Sequence, residues 1–267
     1  MTGRILAVWG PTGVGTSTVA AALAGVWADA CRVALVDADL YRGALRVLLR
    51  ADVGGNIASA SRFPAPPGAP CPHDHLERHR GGFALLPGVP GPAQGVVVDP
   101  VDLVALLERL AAAFDVVVVD VGSTLAPDDA AGRGHRAALG RADGVVVVAA
   151  ATRLGMSDLF LQIGPLGVLV GFDPAAGAPW PRPIWTILNR GQGGKRLEAY
   201  TRRVERELGL PVAAHVPTDD EALWAAEEKG LPVTGARPGN PASRALRDGA
   251  ARVWRAMGPG SVEVGRR

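Results

Sequence analysis

Arg4-Ile-Leu-Ala-Val-Trp9 runs straight into Gly10-Pro11-Thr12-Gly13-Val14-Gly15-Thr16-Ser17-Thr18 and then into an alanine-rich segment. A short apolar run, a glycine-rich turn and a helix-forming stretch, in that order, make the opening strand–loop–helix unit of a parallel sheet. The glycines matter because backbone N–H groups can ring an anion only where no Cβ intrudes, and the start of the helix adds its dipole at the same spot. Position for position the loop is G-x-x-x-x-G-K-[ST], with Thr16 where the pattern has lysine. Ser17 stands where a hydroxyl would ligate Mg²⁺. The bland alternative is a tight glycine turn that holds nothing, and the acidic residues farther along the chain weigh against it.

Outward from this unit, branched apolar runs alternate with longer Ala/Leu/Arg segments, the pattern of a doubly wound, mostly parallel α/β sheet with helices on both faces. We read strands at Arg4–Trp9, Arg32–Asp37, Phe83–Leu86, Asp115–Asp120, Gly144–Ala150, Ile184–Leu188 and Val212–Val216. Helices are expected over Ser17–Asp29, Ala44–Leu49, Pro100–Ala113, Arg196–Leu208, Asp219–Lys229 and Ala242–Met257. The VVVV run before Asp120 is the sequence of a strand buried on both faces. Two Pro/Gly-rich stretches, 61–72 and 171–183, read as loops within a single domain over residues 1–257, and the tail 258–267 reads as disordered.

The second strand ends Val36-Asp37-Ala38-Asp39, and the VVVV strand ends Asp120-Val121-Gly122-Ser123. Parallel sheets gather ligands at the carboxyl ends of their strands, so these carboxylates are expected beside the glycine loop. Ser17, Asp37, Asp39 and Asp120 are therefore the candidate Mg²⁺ set, and Asp39 is the candidate catalytic carboxylate that orients an attacking water. Late in the chain, Asn189-Arg190 closes one strand and Val216-Pro217 the next. Asn189 could offer its amide to an adenine edge with the Pro217 loop walling the base, or it could simply cap a turn.

Taken together, the loop, Asp37 and Asp39, Asp120 and Asn189 resemble the MinD/ParA family of deviant P-loop ATPases, over roughly Arg4 to Arg255. The resemblance implies ATP or ADP with Mg²⁺ as cofactor, held by Gly10 to Thr18 with Asn189, Arg190 and Pro217. It also implies a nucleotide-sandwiched homodimer that localises a partner. Two departures stand out: the family's signature lysine falls on Pro11 and its Walker lysine on Thr16. Loss of both is similar to the CpaE/TadZ pilus-assembly branch and to septum-site-determining relatives. The resemblance thus implies a localisation or assembly factor for a Tad/Flp pilus or a septum site, with hydrolysis weak or absent. The alternatives are an active ParA-type ATPase that partitions DNA and a nucleotide-free scaffold.

Composition bounds the remaining choices. The 267 residues are 48% hydrophobic and 5% aromatic, which suits a Val/Ala/Leu-built sheet and excludes a disordered chain. A net charge of +2 is too small to imply nucleic acid by itself. Cys31 and Cys71 make no disulfide framework, no apolar run reaches a membrane span, and the amino terminus lacks a signal-peptide core. A cytoplasmic protein is expected, peripheral at a membrane or cell pole only through partners. Cys71, His73, His75 and His79 have ligand-like side chains, but their spacing matches no zinc template. The arginines of the late helices, Arg202, Arg203, Arg206, Arg244, Arg247, Arg252 and Arg255, are expected to pair with neighbouring carboxylates on solvated faces, which leaves a DNA partner possible but not favoured. The stripe Leu246, Ala250, Val253 and Met257 is expected to pack on the sheet.

Overall fold

The computed structural model describes residues 2–51, 54–62, 73–171 and 180–257. Cys71, most of the 61–72 stretch, residues 172–179 and the tail 258–267 lie outside the described residues. Eight strands form one sheet: β1 (Arg4–Trp9), β2 (Val33–Ala38), β3 (Glu77–Arg78), β4 (Ala84–Leu86), β5 (Val116–Val121), β6 (Gly144–Ala150), β7 (Ile184–Gly191) and β8 (Val212–Pro217). Their order is β3-β4-β2-β5-β1-β6-β7-β8, and every pairing is parallel except β3 with β4. The β3–β4 pair is too short to leave a periodic signal in the sequence, and three short helices, α2 (Leu45–Leu48), α3 (Ile57–Ser61) and α4 (Pro92–Gly95), lie in the stretch between β2 and β5.

Side-chain alternation along the strands divides the core. Ile5, Ala7 and Trp9 of β1 face one side, where α5 (Pro100–Ala113), α6 (Ala130–Arg141), α7 (Arg153–Val170) and α8 (Gly194–Leu208) pack. Leu6 and Val8 face the other, against α1 (Thr16–Trp27), α9 (Asp220–Lys229), α10 (Val233–Ala236) and α11 (Pro241–Met257). Strands covered on both faces need no polar alternation, and β2, β5 and β6 are buried along their whole length. α5 shows the expected register: Asp99 caps it by accepting the Val101 amide, Pro100 takes the first turn, and Leu103, Leu106, Leu107 and Leu110 are fully buried. The stripe on α11 packs as expected, with Leu246, Ala250 and Val253 buried. Trp27 of α1 reaches across it to donate its indole N–H to the Ala250 carbonyl at 3.2 Å, with its ring beside Trp254.

α6 and α7 were not visible in the sequence. α6 carries Gly132, Gly134 and Gly140, and α7 contains Pro165 among glycines, so local propensity argues against both. They form because each has an N-cap, Asp129 to the Gly132 amide and Thr152 to the Gly155 amide, and because buried small residues let them lie close on the sheet.

Candidate functional site

The turn between β1 and α1 has the form that the sequence implied. Gly13 and Gly15 lie at φ +77° and +92°, in the left-handed region that glycine adopts without strain. Gly15 is the N-cap of α1, so no side chain satisfies the first amides of that helix, and no acidic residue sits in its first turn. Free N–H groups and the positive end of the helix dipole therefore converge there. A Cβ on Gly10 would lie 2.3 Å from the Val148 carbonyl, so the loop can pass over β6 only with glycine at that point.

β2 and β5 pair with Asp37 opposite Asp120, and Val8 of β1 pairs with Asp120, which brings both carboxylates to the carboxyl edge beside the loop. Their surroundings differ. Asp120 is buried and takes a hydrogen bond from the Ser17 hydroxyl, while its Oδ2 has no protein partner. Burial, reinforced by the nearby charge of Asp37, pushes its carboxyl well above the usual range. Asp37 is fully buried, yet both of its oxygens are engaged: the Asp39 amide at 3.2 Å, the Leu45 amide at 2.9 Å and the Gly88 amide. Desolvation outweighs these bonds and pushes it up to about 7. A Cβ on Gly88 would come within 2.6 Å of the Asp37 carboxyl carbon, so that loop is moulded to the side chain.

Of the candidate metal set, Ser17 and Asp120 are joined by a hydrogen bond, whereas both oxygens of Asp37 are engaged by backbone amides. Among the described residues no group of three His, Cys, Asp or Glu side chains assembles in a metal-binding arrangement. Asp37 organises the loops after β2 and β4, and Asp39 accepts the Tyr41 and Arg42 amides, both at 3.0 Å and both on Oδ1. Spacing along a strand placed these carboxylates at the right edge but could not tell which oxygens the neighbouring backbone would claim. Ser17 and Asp120 remain as the pair that fits a divalent cation beside phosphates, and the unpartnered buried oxygen of Asp120 is the observation that supports the fit.

Next to the loop is a cavity of about 380 Å³ lined by Gly15, Thr18, Asn189, Arg190, Val216 and Pro217 together with Thr218, Asp219, Leu223 and Leu246. It joins the phosphate-loop residues to Asn189, Arg190 and Pro217, which are far away in sequence. Asn189 does more than line the wall: its Nδ2 donates to the Val14 carbonyl at 2.8 Å, and its Oδ1 accepts the Arg190 amide at 2.9 Å. One N–H and one lone pair remain for a ligand. Arg190 sits at φ +59°, an uncommon conformation for a side-chain-bearing residue that fits a functional wall. Thr218, Asp219, Leu223 and Leu246 had no sequence signal, because the cavity is assembled from elements far apart in the chain, the start of α1, β7, β8, α9 and α11. Asp219 caps α9 through the Ala222 amide and accepts from Asn240.

Other candidate features resolve into structure. His79 is buried, donates its Nε2–H to the Leu49 and Gly230 carbonyls and stacks on Phe83, and His75 meets Ser59, so the two do not share a ligand. The Cys31 thiol is pushed up to about 11, chiefly by burial, which disfavours its thiolate. Arg202 and Arg203 pair with Glu198 and Glu207, Arg206 with Glu207, and Arg244, Arg247, Arg252 and Arg255 bond backbone carbonyls. No helix among the described residues is long and apolar enough to cross a membrane.

No protein-family model matches the chain, and no curated protein matches it by sequence. Solved structures do match it. The cell division ATPase MinD of Pyrococcus furiosus is similar with a TM-score of 0.74 at 21% identity, over 95% of this chain and 99% of that one. The septum site-determining protein MinD of Pyrococcus horikoshii, complexed with Mg-ADP, gives 0.75 at 21%, over 97% and 98%. A ParA family ATPase of Chlorobium tepidum TLS gives 0.75 at 20%, over 93% and 98%. The fold is therefore that of the MinD/ParA P-loop proteins, a mostly parallel eight-stranded sheet with helices on both faces.

Proposed function

We propose that this chain binds an adenine nucleotide, ATP or ADP with Mg²⁺, at the loop 10–18 and the adjoining cavity, and that it hydrolyses ATP weakly or not at all. The observation that carries the reading is the continuity of an uncapped helix start, a glycine nest and a buried, half-unpartnered carboxylate with a base-sized cavity. The bound Mg-ADP of the Pyrococcus horikoshii structure is the kind of ligand this arrangement fits. Amides of the loop would take the phosphates, Ser17 and Asp120 would hold the cation, and the walls at Asn189, Arg190 and Pro217 would take the base. The cation would supply charge neutralisation at the phosphates.

Hydrolysis is expected to be feeble because Pro11 and Thr16 stand where lysines would stabilise charge that develops during phosphoryl transfer, and a hydroxyl carries no charge. A protein of this fold that holds nucleotide but turns it over slowly suits a localisation or assembly role. We therefore favour a homodimeric factor for a septum site or a Tad/Flp pilus, recruited to membrane or pole by partners. The pairing of Arg202, Arg203 and Arg206 with Glu198 and Glu207 weighs against the DNA-partitioning alternative. Titration with fluorescent ATP and ADP analogues, with and without Mg²⁺, tests the reading. Saturable binding that Mg²⁺ strengthens supports it, and absence of binding leaves only a scaffold. Steady turnover at the rate of a lysine-bearing member of the fold would overturn the hydrolysis claim.

A further inference from the structure

The segment after β5, Gly122-Ser123-Thr124, is tied down at three points. Ser123 Oγ and Thr12 Oγ1 share a hydrogen bond of 2.8 Å. The Trp9 indole N–H donates to the Ser123 carbonyl at 3.4 Å. His135, fully buried, donates its Nδ1–H to the Thr124 carbonyl at 2.8 Å and accepts the Leu40 amide on Nε2 at 3.1 Å, which also joins the segment to the loop after β2. Burial holds the imidazole below its usual range, in the neutral form that this donor–acceptor pattern requires. The segment is packed as well as tied, since a Cβ on Gly122 would meet His135 at 2.4 Å and Asp39 at 2.7 Å.

Thr12 stands at the far end of the phosphate loop from the cavity, which touches the loop at Gly15 and Thr18. A phosphate chain entering from the cavity would thus cross the start of α1 first and reach the Thr12–Ser123 bridge last. At that end the carboxylates are Asp39 and Asp120, His135 beside Asp39 is held neutral by burial, and residues 10–18 contain no Lys or Arg. Each further phosphate adds negative charge where this chain has removed positive charge. We infer that the Thr12–Ser123 bridge makes the site selective for a nucleoside diphosphate over the triphosphate, because the terminal phosphate must break the bond between these hydroxyls and then face Asp39 without a lysine. The inference rests on the nucleotide reading above.

The test uses the full chain and two variants, Ser123→Ala and Thr12→Gly, in competition of unlabelled ADP and ATP against a fluorescent ADP analogue with Mg²⁺ present. The wild type should prefer ADP by roughly tenfold, the scale of one hydrogen bond lost on binding. Both variants should bring the ratio to within about threefold by improving ATP binding. Equal affinities in the wild type, or a ratio unchanged by both substitutions, would overturn the inference. A second measurement needs no nucleotide: hydrogen exchange of the amides at 122–126 should speed up in both variants, and unchanged exchange would show that the bridge holds nothing. Faster exchange with no binding of either nucleotide to any variant would strike down the nucleotide reading, and this preference with it.

Discussion

Gly15→Ala offers a strict test of how the phosphate loop is held. Two costs follow from the geometry. An L residue at φ +92° is strained by about 1 kcal/mol. The new Cβ would also lie 2.5 Å from Nδ2 of Asn189, so that amide must leave the Val14 carbonyl it now holds at 2.8 Å. A partly buried hydrogen bond lost in this way costs about 1 kcal/mol, more if the carbonyl finds no water. Gly15→Ala should therefore destabilise by roughly 2–3 kcal/mol, about 1 M in urea midpoint for a chain of this size. Asn189→Ala alone loses the bond without introducing the strain and should cost about 1 kcal/mol. In the double variant nothing remains for the Cβ to displace, so the total should be close to that of Gly15→Ala alone, a coupling of about 1 kcal/mol. Equilibrium urea unfolding of the four proteins measures each quantity. Strict additivity, or a Gly15→Ala midpoint within error of wild type, would refute the claim that Asn189 and the loop support each other.

Other perturbations follow from the same site. Asp37 is raised to about 7 in the folded state, so its contribution to stability is fully present below its unfolded value of ~4 and is lost as pH rises through 7. The buried histidines are shifted down, so their slope has the opposite sign and ends at their ordinary value of ~6.5. From pH ~6.5 to ~8 the stability of the wild type relative to Asp37→Asn should therefore fall by on the order of 1 kcal/mol in urea unfolding; a constant difference between the two profiles would refute the assignment. Asp120→Asn should replace a carboxyl that burial disfavours in its charged form with a neutral isostere, leaving the protein at least as stable without ligand, while abolishing any rise in melting temperature on adding Mg²⁺ with ADP. A retained rise would exclude Asp120 from the cation site. Thr16→Lys should tighten ATP binding by at least ~10-fold, because it returns the charge that contacts the phosphates; no gain would mean that the loop cannot accept a ligand. Trp27→Ala empties a fully buried site between α1 and α11 and should cost about 3–5 kcal/mol in the same unfolding assay.

The parallel strands were legible because residues buried on both faces must be apolar without a break, and the valine runs at 116–119 and 145–148 admit few other readings. The glycine loop was legible because its spacing reflects backbone conformation, a local property. α6 and α7 were not, since glycines and Pro165 lower their intrinsic preference and only packing on the sheet compensates. The cavity was half legible: Asn189, Arg190 and Pro217 end strands, but Asp219, Leu223 and Leu246 reach it from helices whose approach no local pattern encodes.

By itself the sequence determined the architecture, the loop and the edge at which the carboxylates lie, because each depends on neighbours a few residues away. Which carboxylate keeps a free oxygen was decided only by tertiary structure. Asp37 and Asp120 are both strand-end aspartates opposite each other in register, yet loop amides at Asp39, Leu45 and Gly88 engage the first, and Ser17 leaves one oxygen of the second without a partner. Hydrogen-bond capacity is shared out among groups brought together by folding, so the difference exists only in three dimensions.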